Sequence, residues 1–479
     1  MSVLEQMEPR AVFSFFERLC AIPRGSANTK AVSDWVADFA KARGLWYAQD
    51  AANNVVIKKP ASPGYEAAAP VILQGHLDMV CEKAPGCGKD MAREGLELAV
   101  DGDVIYARGT TLGGDDGAAV AMMLAVLDDD TLEHPPVEAV FTADEEIGLL
   151  GASAFDASVL RGRRLINLDS ETEGVFTVSC AGGARANCRI PVAREPFAGT
   201  TLRLTVEGLR GGHSGAEIGK GGANANKLLG RVLYALRERA EPRVCGVCGG
   251  MADNVIPTGA EAVLVCDEGA ARAVAEEMRR VFEAEYRATD PDIRVYCEPC
   301  ASACVPMSAR STEDVVTFLL CAPNGVCAMS AEIPGLVQTS LNLGVLSAGE
   351  DAVKASFSVR SSVDTQKQML LDTLRCLTER LGGAMGVTGE YPGWAYRADS
   401  PLRELMTRVF TGQFGYAPKV EAIHAGLECG LFAGKLEGLD CVSIGPDMEA
   451  VHTPGEKLHI ASTRRTWQFL TETLRQMKP

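Results

Sequence analysis

Four short stretches concentrate side chains that can hold a metal ion and move a proton: His76 and Asp78 in QGHLDM, Asp115 and Asp116 in GGDDG, Glu145 and Glu146 in ADEEIG, and Asp169 and Glu171 in NLDSE. Carboxylates gathered in one cleft repel one another and resist ionisation unless protons or cations neutralise them. A cation is the simplest answer, and nitrogen donors beside oxygen donors suit zinc better than magnesium or calcium. Two imidazoles with several acids suffice for a two-metal site, its ions about 3.5–4 Å apart and held there by a shared carboxylate. In His76-Leu77-Asp78, residues i and i+2 of an extended segment face the same way, so Asp78 can take the non-coordinating imidazole N–H and fix the ring. The adjacent Glu145 and Glu146 are expected to point apart, one toward metal and the other toward the attacking water as general base. Singly, each pair is an ordinary loop or cap feature; their joint occurrence at strand ends is what points to a site.

The elements that must position these residues are legible in outline. Apolar runs of strand type at 71–74, 137–141 and 165–168 alternate with helical stretches such as 117–127, which implies an α/β sheet. Open sheets of that kind bind ligands at the carboxyl ends of their strands, where the four acidic stretches fall. An amphipathic helix carries Val32, Trp35, Val36, Phe39 and Ala40 at helical spacing between Asn28 and Gly44. Beyond residue 186 the pattern becomes mixed, with strands expected at 201–206, 243–247, 260–266, 293–296, 338–343 and 355–359 and helices at 223–237 and 270–283. After the YPGW turn at 391–394 the earlier style returns, with a helix at 401–410 and a strand at 439–444. The expected organisation is a catalytic domain with a mixed central sheet flanked by helices, formed by 1–186 and 396–479, and interrupted by an inserted α+β domain at 187–395.

Composition limits the partners. The 479 residues carry 47 Lys plus Arg against 63 Asp plus Glu, a net charge of −16, which disfavours nucleic acid and anionic membranes and favours small molecules. The longest apolar run, 118–127, is half of the roughly 20 residues a membrane helix needs, and the N-terminus lacks a basic-then-apolar signal pattern, so a cytoplasmic location is expected. Sixteen cysteines in so long a chain are expected to be mostly reduced. Cys245/Cys248 and Cys297/Cys300 are read as structural thiols, Cys429 as a buried thiol, His134 as an exposed loop residue and His459 as structural.

Residues 74–83, 111–117, 141–152, 166–171, 208–215, 253–257, 424–432 and 451–456 together resemble the aminoacyl-histidine dipeptidases, the carnosinase-like peptidase D family of cytosolic zinc enzymes. The resemblance runs from about Ile22 to the C-terminus. It implies two Zn2+ per chain, with Co2+ or Mn2+ as substitutes: Asp115 bridges, His76 and Asp169 complete one site, and Glu146 and His452 complete the other. It also implies that Asp78 orients His76, that Glu145 is the general base, and that His213 on the inserted domain steadies the oxyanion. Asn254, Arg360 and His424 fall on substrate-binding positions. The implied activity is hydrolysis of unblocked dipeptides, Xaa-His among them, by a homodimer whose inserted domain serves as lid and dimerisation domain. An amidohydrolase acting on N-acyl amino acids or longer peptides is the neighbouring alternative, and a thiol-zinc protein built on the Cys-x-x-Cys pairs is the alternative from another class. Two positions depart from the family pattern: Asp116 stands where Asn is usual, and Thr453 where Ser is usual.

Overall fold

Unbroken apolar text marks strands covered on both faces, and Val71–His76 and Val137–Thr142 are buried along their whole length. In the computed structural model, which describes residues 3–301 and 304–479, these two strands run parallel, with Val71 opposite Val137 and His76 opposite Thr142. They belong to an eight-stranded sheet in the order Trp46–Gln49, Val55–Lys59, Val137–Thr142, Val71–His76, Arg164–Asn167, Asp440–Ser443, Val175–Cys180, Lys419–Ile423. The strands at 137–142, 71–76, 164–167 and 440–443 are parallel in succession, whereas Val55–Lys59 is antiparallel to Val137–Thr142. The sheet is therefore mixed, as expected, and its parallel core sends three acid-bearing loops out of one edge.

Helix Gly114–Asp128 has Asp115 and Asp116 outside helical dihedrals, so its regular part begins at Gly117. Residues 118–127 are at most 2% exposed, as befits a helix that is apolar all round. It lies so close to the strand Val71–His76 that a Cβ on Gly75 would fall 2.8 Å from the Ala119 Cβ. Glycine at 75 is what lets the two backbones approach.

The chain divides into two compact units, one of Met1–Ser179, Tyr396–Ala422 and Leu427–Pro479, the other of Cys180–Ala395 with Ile423–Gly426. The strand Gly182–Pro191, inside which the expected boundary falls, pairs on both sides with strands of the second unit. That unit is built on a nine-stranded sheet whose recorded pairings are all antiparallel. Gly182–Pro191 alternates buried and exposed residues over much of its length, the period-two signature of a sheet with one face covered. Leu228, Leu229 and Val232 from helix Ala225–Ala240, and Val274 and Phe282 from helix Glu268–Glu285, share a core with the inward strand residues.

Several elements were not anticipated, among them helices Arg10–Cys20, Ala309–Cys321, Asp364–Arg380 and Ile460–Gln476. His134 is buried rather than exposed, with its Nδ1 2.7 Å from the Pro135 carbonyl. Cys245 is not a free thiol: it forms a disulfide with Cys304, leaving Cys248, Cys297 and Cys300 free. Neither Cys-x-x-Cys pair closes on itself, because Cys245 is joined to a residue that only the folded chain brings near. Among the described residues no helix is long and apolar enough to cross a membrane.

Candidate metal centre

In the first unit, strand Val71–His76 ends on His76, and the segments after Val137–Thr142 and Arg164–Asn167 bring Glu145, Glu146 and Asp169 toward it. Gly113, with a φ of +65°, opens the turn that presents Asp115; a Cβ there would stand 2.5 Å from Arg24 Nη2. His452 sits between the strands Met448–Glu449 and Lys457–His459, at a φ of +64°, a region non-glycine residues seldom adopt.

The two carboxylate oxygens of Asp115 face different imidazoles. Oδ1 lies 2.9 Å from His76 Nε2, and Oδ2 lies 3.1 Å from His452 Nε2. Asp169 Oδ1 is 3.5 Å from His76 Nε2, and Glu146 Oε1 is 3.0 Å from His452 Nε2. Donors about 2.0–2.1 Å from one tetrahedral zinc are separated from each other by about 3.4 Å. Asp115, Glu146 and His452 offer ligand atoms within 4.8 Å of one another, as do His76, Asp116 and Asp169, while Asp115 also reaches His76, so the cluster contains more than one grouping able to hold a cation.

Asp78 is fully buried and sits behind His76. The His76 Nδ1 is 3.2 Å from the Asp78 carbonyl and 3.5 Å from its carboxylate, so backbone and side chain share the ring's far nitrogen. The Asp78 carboxylate accepts the N–H groups of Glu145 at 3.0 Å and Glu146 at 3.3 Å and the Ser26 hydroxyl at 2.8 Å. Glu145 and Glu146 do not point fully apart: with His76 they offer ligand atoms within 4.8 Å of one another. The strand has ended at Thr142, so alternation no longer governs their directions.

The electrostatics are those of a site made for cations. Burial, reinforced by Asp169, holds Asp116 well above the usual carboxylate range, and burial with help from Asp169, Glu428 and Glu146 does the same for Glu145. Burial, with Asp115 and Glu146 adding, lifts Asp169 to about 7. Burial opposes a charge on His76, but Asp169, Asp115 and Asp78 outweigh it and raise its pKa. Hydrogen bonds to Asp115 and Glu146 lift His452 to about 10. Asp116 Oδ1 is buried with no hydrogen-bond partner among the described residues, while Oδ2 accepts the His76 N–H at 3.0 Å. Acids that burial drives toward protonation, beside imidazoles that hold protons tightly, are a donor set that divalent cations fit.

The remaining site candidates belong to the second unit. His213 Nδ1 accepts the N–H groups of Gly215 and Ala216, both at 3.3 Å, which leaves Nε2 as the protonated nitrogen. Burial and Arg360 lower its pKa. His424 Nε2 lies 2.7 Å from the Ser340 hydroxyl, and burial and Arg360 push its pKa down to about 4. Arg360 Nη1 is 3.5 Å from the Tyr391 hydroxyl. Asn254 follows Asp253, whose carboxylate pairs with Arg185 at 2.5 Å, and its carbonyl accepts the Ser214 N–H next to His213.

Three supporting residues received no role from the sequence. Arg24, 1% exposed, donates to the carbonyls of Leu77 at 2.9 Å, Asp78 at 2.8 Å and Gly113, tying the His76 and Asp115 segments together. Glu428 and Glu456 are buried acids within segments quoted for the family resemblance. Apolar neighbours were an available signal for Glu428 alone, and the partners of all three are distant in sequence. Cys429 is buried, and burial with Cys441 raises its thiol pKa well above the ordinary value, the environment of a buried structural thiol. None of the metal-capable groups among the described residues includes a cysteine, which removes support for the thiol-zinc alternative.

A parallel sheet edge that presents two imidazoles around a shared carboxylate, with further acids in reach, defines a metal-dependent hydrolase. The chain belongs to peptidase family M20/M25/M40, whose model matches residues 72–476. It is 35% identical over 482 residues to the cytosol non-specific dipeptidase of Escherichia coli (strain K12), covering 100% of this chain and 99% of that protein. The solved aminoacylhistidine dipeptidase from Vibrio alginolyticus is similar at a TM-score of 0.94 and 34% identity, covering 99% of this chain and 98% of that one. A tripeptidase from Staphylococcus aureus shares the fold at a TM-score of 0.56 and 16% identity, covering 98% of this chain and 99% of that one.

Proposed function

We propose that the protein is a cytoplasmic dizinc dipeptidase that cleaves unblocked dipeptides, Xaa-His among them. The observation that carries this reading is the position of Asp115, with one oxygen toward His76 and the other toward His452. One ion is assigned to His76, Asp115 and Asp169 and the other to Asp115, Glu146 and His452, with Co2+ or Mn2+ as substitutes. Bound zinc lowers the pKa of a water toward neutrality and polarises the scissile carbonyl.

Glu145 is the general base: its carboxylate takes a proton from the attacking water and passes it to the leaving amine nitrogen. Asp78 keeps the His76 ring in place and fixes the backbone of Glu145 and Glu146. In the second unit His213 is assigned the developing oxyanion, since its Nδ1 accepts backbone N–H groups and its Nε2–H remains to donate. Arg360 is assigned the substrate carboxylate, which its planar fork can bind through two oxygens, and Asn254 and His424 the remaining polar contacts. The second unit is assigned the role of lid and dimerisation domain.

The test is zinc counting on purified protein combined with a panel of free dipeptides, their N-acetyl forms and tripeptides. Two zinc ions per chain and hydrolysis confined to free dipeptides are expected. Turnover of N-acetyl amino acids or blocked peptides at equal rates would instead identify an N-acyl amidohydrolase.

A further inference from the structure

Two buried carboxylates of the first unit lie outside the proposed ligand set, yet each accepts hydrogen bonds from segments that carry or precede ligands. Glu456, 2% exposed, accepts the N–H groups of Leu112 at 2.7 Å and Gly113 at 2.9 Å on Oε2, and those of Gly114 at 2.7 Å and Asp115 at 3.4 Å on Oε1. Its own segment is folded into two turns, with Thr453 N–H on the Ala450 carbonyl at 3.2 Å and Glu456 N–H on the Thr453 carbonyl at 3.1 Å. His452 lies inside the first of these turns. One carboxylate therefore joins the segment that carries His452 to the segment that carries Asp115.

Glu428, fully buried, works on the other side of the cluster. Its Oε2 accepts the Gln74 amide at 2.5 Å and the Thr142 hydroxyl at 2.6 Å. Gln74 in turn accepts the Asn167 amide on its Oε1 at 2.6 Å, and Asn167 Oδ1 accepts the Asp169 N–H at 3.4 Å. Gln74 shares a strand face with His76, two residues on. The chain of bonds thus links the strand that presents His76 to the one that precedes Asp169. Neither acid contacts the loop held by the other in any of these bonds.

We propose that Glu456 and Glu428 are positioning residues that set the two metal positions separately. Glu456 sets the position assigned to Asp115, Glu146 and His452, and Glu428 the one assigned to His76, Asp115 and Asp169. The inference rests on the dizinc reading above. Loss of Glu456 loosens two of the three ligands of its position but only Asp115 of the other, because Glu146 is held by Asp78. Loss of Glu428 loosens His76 and Asp169 and leaves Glu146 and His452 in place. Groups that orient metal ligands affect affinity by about 10- to 100-fold when removed.

The two acids call for different substitutions. In Glu456→Gln the amide NH2 replaces an oxygen that accepts two backbone N–H groups, so that half of the grip is lost. In Glu428→Gln both donors can still reach the remaining carbonyl oxygen, so this variant serves as the conservative control and Glu428→Met as the disruptive one. Zinc affinity is measured on the full chain by competition with a chromophoric chelator, with zinc counting by emission spectroscopy and thermal unfolding as the check on folding. Glu456→Asp, which keeps the charge, replaces Glu456→Gln if the latter does not fold.

In Glu456→Gln and in Glu428→Met, one zinc is expected to bind about 10- to 100-fold more weakly and the other to weaken clearly less, while Glu428→Gln binds both as wild type does. Adding Glu456→Gln to His452→Ala should weaken zinc binding little beyond His452→Ala alone, whereas adding it to Asp169→Ala should weaken both positions. Retention of both ions at wild-type affinity, or equal weakening of both, overturns the proposal and leaves the dizinc reading standing. A wild type that holds no pair of zinc ions overturns both.

Discussion

The histidines of the two units are of one chemical kind and are tuned in opposite directions. In the first unit His76 and His452 are surrounded by carboxylates that raise their pKa values. In the second, His213 and His424 face burial and the positive charge of Arg360, which lower theirs. An imidazole among acids belongs to a region prepared for cations, where the metal takes the place of the proton. An imidazole beside a guanidinium stays neutral near neutral pH and keeps one N–H to donate, which suits a region that receives carboxylate and oxyanion oxygens. The same residue type is thus tuned in two directions, and its neighbours decide which.

That contrast can be tested from the strongest expected effect downward. Removing metal with a chelator is expected to abolish hydrolysis and lower the thermal midpoint, both recovered on adding zinc; full activity in the stripped protein would end the distinction between the units. Glu145→Gln should keep the zinc content and lose about 10²- to 10⁴-fold in kcat, as read by dipeptide turnover beside metal analysis. Arg360→Lys keeps the charge but loses the planar fork, so KM for free dipeptides should rise about tenfold, corresponding to about 1.4 kcal/mol, with little change in kcat. Dipeptide amides, which lack the carboxylate, should respond far less to that substitution.

The smallest effect concerns pH. The His424 pKa is lowered from 6.5 to about 4 in the folded protein. Between those values the unfolded chain takes up a proton that the folded chain refuses, so this group's contribution to stability falls as the pH drops through that window. His424→Gln should therefore lose less of its thermal midpoint between pH 7 and pH 4 than the wild type, by calorimetry. Equal slopes would remove the evidence that this histidine stays neutral.

Much of the first unit was legible because its signals are local. Strands buried on both faces read as continuous apolar text, and the ligand-bearing residues follow them directly, so sheet, loops and acids were recovered together. The directions of Glu145 and Glu146 were not, since they lie in a turn beyond the strand end where period-two reasoning stops. His134 was read as exposed because its neighbours are Glu, Pro and Pro, yet it packs inward and bonds the Pro135 carbonyl. The Cys245–Cys304 pairing was invisible for a related reason: a sequence separation of 59 residues carries no sign of contact.

Residue types, their order after apolar runs and the acidic balance of the chain are properties of the linear polymer, and they sufficed to indicate an α/β protein with a metal-binding cluster. Which oxygen of Asp115 faces which imidazole, and which buried acid grips which loop, depend on segments as far apart as 112 and 456 meeting in space. Hydrogen bonds and charge interactions act over a few ångströms, whereas chain neighbours constrain one another only locally. Tertiary packing therefore decided the pKa directions and the roles of Arg24, Glu428 and Glu456.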